Sequence, residues 1–335
     1  MVILMKVIRS VLLFLCLAAN LCATTLENAL QECFPKIEQS EITAKLLLGG
    51  FSTDEKYIVT LNNQKYVLRL YELTENSKID SELYMLNLAS QLGIGPTIFY
   101  VAKDKSFVLM EFFERGTITF DQVRTREACV SIAKAIKILH STPTQEWIHY
   151  DCLALYKDAY YFLVHKAGKK PEFDEAINMM SDAYVELNKL SIEKVNTHSD
   201  LNARNIFIIN GQAKFIDWGD VNYHDPFYDL ALFSMFTAYT HELEELLLQT
   251  YLGREIEITD WQKFHQSKLI AYSTIIINAF YICFASNPSA EMIDDHQSHE
   301  FLIKQFVDYS DSSHSFLMNI ANTLLREGRK LKASL

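Results

Sequence analysis

The chain has 335 residues, 49% of them apolar and 12% aromatic, and its net charge at neutral pH is −11. This is enough apolar material for a large buried core, best divided between two lobes. The acidic balance argues against a nucleic-acid partner, whose phosphates it would repel; it suits a cationic substrate and is equally ordinary for a soluble protein.

Residues 1–23 read as a secretory signal peptide, with Lys6 and Arg9 as the basic flank, an almost wholly apolar stretch over 11–19, and Ala23 before polar Thr24 and Thr25. Leu21 departs from the small residue expected two positions before Ala23. The alternative is an apolar helix packed on a lobe. The uninterrupted run is too short to cross a bilayer, so no stable span is expected once the segment is removed. Cys33, Cys129, Cys152 and Cys283 would remain, widely spaced and without a Cys-x-x-Cys. They read as core thiols, not as a zinc site or a disulfide framework.

A helix is expected over 26–40 with a stop near Pro35, then strands over 44–50, 57–61 and 66–70. Gly49-Gly50 turns the first pair and Asn62-Asn63 the second. A helix over 77–92 ends at Gly93 and Pro96, and strands over 97–101 and 106–110 complete a sheet of five. Residues 111–116 form the crossing to a second lobe, whose helices are expected over 126–140, 173–190, 227–239, 241–251, 260–285 and 299–326. The stretch 270–284 is apolar all round and reads as lobe interior; fifteen residues fall short of a membrane span.

The densest chemistry lies in His198-Ser-Asp-Leu-Asn-Ala-Arg-Asn205 and in Asp217, twelve residues further on. Two apolar runs flank Asn210-Gly211, a pair that tolerates the positive φ angles of a type I′ turn and so signals a hairpin. Folding about that turn carries the Asn205 amide and the Asp217 carboxylate to one end of the ribbon. Asp200 lies in the loop that feeds this end. Two oxygen ligands beside a further carboxylate suit Mg²⁺-assisted phosphoryl transfer: Asn205 and Asp217 on the metal, Asp200 as base for the attacking hydroxyl.

This spacing resembles the catalytic loop and metal-binding Asp of protein-kinase-like folds. Asp217-Trp-Gly-Asp220 and Asp225-Pro-Phe-Tyr-Asp-Leu-Ala231 narrow the resemblance to the aminoglycoside phosphotransferase and choline kinase family, over residues 45–235. It implies an α+β protein-kinase-like fold of two lobes. The N-lobe, 24–111, would be a small antiparallel sheet with one helix that binds nucleotide. The C-lobe, 112–335, would be larger, mainly helical, catalytic and acceptor-binding.

The resemblance also implies ATP and Mg²⁺ as cofactors and a small-molecule hydroxyl acceptor such as choline, ethanolamine, thiamine, an amino sugar or a macrolide. It places Gly49, Gly50, Ser52 and Thr53 over the donor phosphates and makes Arg69 the nucleotide-gripping cation, with Glu82 as the partner that holds it. Asp54 departs from the family, and a carboxylate there would repel a triphosphate. His198 would stiffen the catalytic loop. Arg204 reads either as a phosphate contact or as a solvated loop residue. Asp229 reads as a brace on the loop amides. Asp220 and Trp218 are candidates to touch the substrate, and Trp218, Tyr223 and Tyr228 could wall a quaternary ammonium. A kinase of proteins or envelope glycans and a nucleotide-binding pseudokinase remain the alternatives. An export signal and an ATP-dependent reaction point to different compartments.

Overall fold

The computed structural model describes residues 25–47, 54–72, 78–144, 150–190 and 193–335. The signal-peptide reading and the loop of Gly49, Gly50, Ser52 and Thr53 lie outside the described residues. The chain divides into two units.

The first unit ends at Gly116 and also takes in Lys214–Gly219. Helix α1 (Leu26–Cys33) begins where the Thr25 hydroxyl accepts the Asn28 amide, and it stops before Pro35. Strands β1 (Thr43–Leu46), β2 (Glu55–Leu61), β3 (Gln64–Leu70), β4 (Ile98–Val101) and β5 (Phe107–Glu111) form one antiparallel sheet in the order β1-β2-β3-β5-β4. Asn62 and Asn63 have φ of 50° and 63°, which closes β2 onto β3 by the two-residue turn expected. Alternation along the strands sends Val59, Leu68 and Leu70 to one face, where they pack with Ala29 and Leu30 of α1. Arg69 therefore points from the other face. Helix α2 (Ile79–Gln91) brings Glu82 to it. The unit thus holds α1 as well as the one helix expected between β3 and β4.

The second unit comprises Thr117–Ala213 and Asp220–Leu335. Its helices are α3 (Phe120–Val123), α4 (Arg126–His140), α5 (Cys152–Ala167), α6 (Pro171–Leu187), α7 (Pro226–Thr237), α8 (His241–Leu252), α9 (Ile258–Ser286), α10 (His299–Tyr309) and α11 (His314–Ser334). Strand β6 (Val195–Thr197) pairs antiparallel with β9 (Asn222–His224), Asn196 standing opposite Tyr223. Strands β7 (Ile206–Ile209) and β8 (Gln212–Phe215) make the expected hairpin, with Asn210 and Gly211 at φ 52° and 78°. The Ser131 hydroxyl of α4 ties this turn down, donating to the Gly211 carbonyl and accepting the Ala213 amide.

Helix α9 has 29 residues, well beyond the fifteen of its all-apolar stretch, and is long and apolar enough to cross a membrane. Of its most apolar window, 78% is buried, and α9 packs against α5, α6, α7 and α11. Burial in the unit's core, not shortness, accounts for its composition. The helix expected over 299–326 is two: Ser310 at φ 57° ends α10, and the Ser313 hydroxyl accepts the Phe316 amide to start α11.

Candidate active site

In the second unit, β6 leads into the loop His198–Asn205 and α7 supplies the acid that holds it. The start of α7 is fixed by Asp225, whose carboxylate accepts the Phe227 amide at 3.0 Å and the Ser267 hydroxyl at 2.8 Å, with Pro226 in the first turn. Asp229 follows on the first turn and is wholly buried. It accepts the backbone N–H groups of His198 and Ser199, both at 2.8 Å, and lies 3.1 Å from His140 Nε2. The other ring nitrogen of His140 is 3.0 Å from the Tyr251 hydroxyl. Burial alone would raise the Asp229 carboxyl; the hydrogen bond and charge of His140, with His198, hold it below the usual carboxylate range. Ser199 sits at φ 62°, an uncommon conformation for a residue with a Cβ. Two amides fixed on one buried carboxylate explain how it persists, directly before Asp200.

Around Asp200 the loop is held by amide side chains. One carboxylate oxygen accepts Asn202 Nδ2 at 3.0 Å, and the other accepts Asn205 Nδ2 at 2.9 Å. Asn205 Nδ2 also donates to the Asp200 carbonyl at 2.9 Å, so its nitrogen faces Asp200 and its side-chain oxygen is the atom turned to other uses. Asn202 Oδ1 accepts the Arg204 amide at 3.0 Å and opens a 3-10 turn over Ala203–Asn205. His198 is fully buried, with Nδ1 accepting the Asp200 amide at 3.3 Å. The Arg204 guanidinium lies over the Phe306 ring, 5.2 Å from its centroid.

In the first unit, Arg69 is 6% exposed and its guanidinium stands among three carboxylates. Nη1 donates to Glu82 Oε1, and Nη2 is 3.3 Å from Glu82 Oε2. Nε and Nη2 both donate to Asp54 Oδ2, at 3.1 and 2.7 Å, while Asp54 Oδ1 accepts the Glu72 amide at 2.9 Å. Asp217 Oδ1 lies 3.7 Å from Nη1, and its other oxygen 4.0 Å from Lys56 Nζ. Burial pushes the Glu82 carboxyl up to about 7, against the pull of Arg69. Asp217 has φ 64°. A Cβ on Gly219 would stand 3.4 Å from Glu82 Oε2, so glycine lets the chain pass close to the ion cluster.

Arg69, Glu82 and Asp217 therefore gather in the first unit, and His198, Asp200, Asn205 and Asp229 in the second. Asp54 is no bystander: it is a ligand of Arg69. Trp218 requires correction as a substrate contact, since it is 1% exposed with its Nε1 donating to the Phe215 carbonyl, a core role in the first unit. Tyr228 is buried against His224, and the Tyr223 ring has Lys194 Nζ 5.8 Å from its centroid. Asp220 is 2% exposed in the second unit, and the Tyr150 hydroxyl reaches its carbonyl at 3.4 Å.

Sequence reasoning missed His140 and Asn202. Asn202 had a signal, an Asn two residues before a loop Arg, where a side-chain oxygen caps a turn. His140 had none: it ends an amphipathic helix and acquires meaning only from Asp229, 89 positions away.

Residues 43–265 match the phosphotransferase enzyme family. The chain belongs to this family. Protein LicA of Haemophilus influenzae is 21% identical over 235 residues, 68% of this chain and 85% of that protein. Among solved structures, choline kinase LicA from Streptococcus pneumoniae aligns with a TM-score of 0.64 at 17% identity, covering 93% of this chain and all of that one. A spectinomycin phosphotransferase in complex with ADP and spectinomycin aligns with a TM-score of 0.59 at 15% identity, over 86% of this chain and 93% of the other. The protein is a phosphotransferase with a protein-kinase-like α+β fold, an antiparallel sheet in its N-terminal region and a mainly helical C-terminal part.

Proposed function

We propose that this phosphotransferase is an ATP- and Mg²⁺-dependent kinase that moves the γ-phosphate to the hydroxyl of a small cationic alcohol of the choline or ethanolamine type. The observation that carries the reading is the Asp200 carboxylate, held by Asn202 and Asn205 on a loop pinned to Asp229. In a loose phosphoryl-transfer transition state alignment counts for more than basicity, so a fixed carboxylate that accepts the acceptor O–H and aims its oxygen is what the step requires. The new O–P bond forms as the bond to the leaving ADP oxygen breaks, and Asp200 takes the hydroxyl proton.

Asn205 and Asp217 offer hard oxygen donors suited to Mg²⁺. Among the described residues no group of three or more His, Cys, Asp or Glu is placed to hold a metal. In the proposed site, donor phosphates and water would complete the shell of the ion. Bound there, Mg²⁺ would screen the phosphate charge. For the acceptor, the Asp220 carboxylate supplies the negative charge that an ammonium group would seek. Likeness to a choline kinase supports the same class.

The test is Mg²⁺-dependent ADP release by the full chain with choline, ethanolamine or spectinomycin. Choline or ethanolamine should stimulate release, and Asp200→Asn should lower turnover on the order of 10³-fold while melting stays normal. Equal turnover by the wild type and the variant would sink the proposal.

A further inference from the structure

Arg124, Arg204 and Arg326 of the second unit are all half-buried. Two of them spend their donors on the protein. Arg124 donates to the Thr237 and Ala238 carbonyls, and Arg326 to Asp294, Thr323 and the Gln297 carbonyl. Arg204 does not. Its backbone amide donates to Asn202, but among the described residues its guanidinium makes no hydrogen bond or ion pair and lies over the Phe306 ring. Attraction to a ring face engages the charge and leaves the donors of the planar fork unspent. A guanidinium partly withdrawn from water with its N–H groups open is an arrangement that an incoming anion relieves.

The side chain of Asn202 ties Arg204 to Asp200. Its Oδ1 accepts the Arg204 amide at 3.0 Å, and its Nδ2 donates to one Asp200 carboxylate oxygen at 3.0 Å. The Asp200 charge acts on the guanidinium, yet both Asp200 oxygens accept amide N–H groups and no ion pair joins the two side chains. The aromatic bed is fixed as well, since Phe306 stacks on Phe236 and Phe316 with centroids 5.7 and 6.2 Å apart. Arg204 is therefore held in the same loop as Asp200 without being neutralised by it. A cationic alcohol brings no anion of its own. The anion that must reach Asp200 is the phosphoryl group passing to the alcohol's hydroxyl, and a guanidinium fork matches two phosphate oxygens.

We propose that Arg204 binds the phosphoryl group on the acceptor side, meeting its oxygens as the bond to the acceptor hydroxyl forms and holding the phosphate ester that results. This rests on the reading of the protein as a kinase of small cationic alcohols. Arg204 takes no proton, which goes to Asp200; it offsets the charge on the phosphoryl oxygens.

Steady-state kinetics and calorimetric titration of the full chain test the assignment, with choline, ethanolamine and their phosphate esters as probes. Arg204→Met should lower kcat about 10²-fold and leave KM for the alcohol within about threefold. It should weaken binding of the ester about tenfold. Arg204→Lys keeps a cation over Phe306 without the fork; it should melt as the wild type does and fall between the two in kcat and ester affinity. A wild-type kcat in Arg204→Met would overturn the assignment and leave the kinase reading standing. So would equal weakening of alcohol and ester, the mark of a residue that only supports the loop. A wild type that phosphorylates neither alcohol would overturn the kinase reading and this assignment together.

Discussion

Around Arg69, buried charge is met by charge: one guanidinium faces the carboxylates of Asp54, Glu82 and Asp217. Around Asp229, a wholly buried carboxylate is met by two backbone N–H groups and one imidazole. The first arrangement orders side chains that substitution can replace together. The second orders the backbone of His198 and Ser199, for which no substitution supplies another partner. Burial raises both carboxyls, but their partners leave opposite outcomes: Glu82 stands at about 7 despite Arg69, whereas His140 and His198 hold Asp229 below its ordinary value.

The largest effect is expected at Asp229. Asp229→Ala leaves two N–H groups and His140 without their acceptor, a loss of about 3–5 kcal/mol. In calorimetry this should appear as a melting temperature lower by about 10 °C or more, with activity lost as well. A smaller loss than at Arg69 would break the contrast. Arg69→Met alone should cost about 3 kcal/mol by stranding Asp54 and Glu82, and the triple variant Asp54→Asn/Arg69→Met/Glu82→Leu should recover most of it in denaturant melts. Failure of the triple to recover would mean that the cluster, too, has a partner that cannot be replaced.

The smallest effect is in the pH dependence. Glu82 binds its proton more tightly folded than unfolded, so its contribution is full below about pH 4.5 and is lost as pH rises through about 7. Asp229 behaves oppositely: its contribution is present above its ordinary value near 3.8 and is lost as pH falls through its lowered one. Glu82→Gln removes only the first slope. Its melting temperature should therefore gain on the wild type between pH 5 and pH 8, and a constant difference across that range would refute the assignment.

Much of this was legible in the sequence where local chemistry decides. Helix α4 spans the residues its 3.6-residue pattern marked, and Asn62-Asn63 and Asn210-Gly211 turn as their tolerance of positive φ requires. The loop proposed to carry the chemistry stood out because His198, Asp200 and Asn205 lie within eight positions. Helix α5 was missed although Asp151 caps its start and Gly168 follows its end; its mixed apolar and polar faces give little periodicity. Strands β6 and β9 are three residues each, too short to show alternation. Trp218 was misread because aromatic residues look alike in a sequence whether they face a substrate or a core. Asp54 was judged by charge alone, and only the register of β2 on β3 brings it to Arg69.

Helix α9 carries a consequence for how the chain is made. It lies more than fifty residues after the loop His198–Asn205, yet it packs on α5 and α6, which precede that loop, and on α7, which bears Asp229. During synthesis that loop therefore emerges well before the helix that completes the unit's core. Contacts of such long sequence separation form late, because loop closure must come first. Until α9 docks, the nascent protein displays a segment that is long and apolar enough to cross a lipid bilayer. A destabilised variant would expose the same segment, making it a natural target for chaperones and for aggregation.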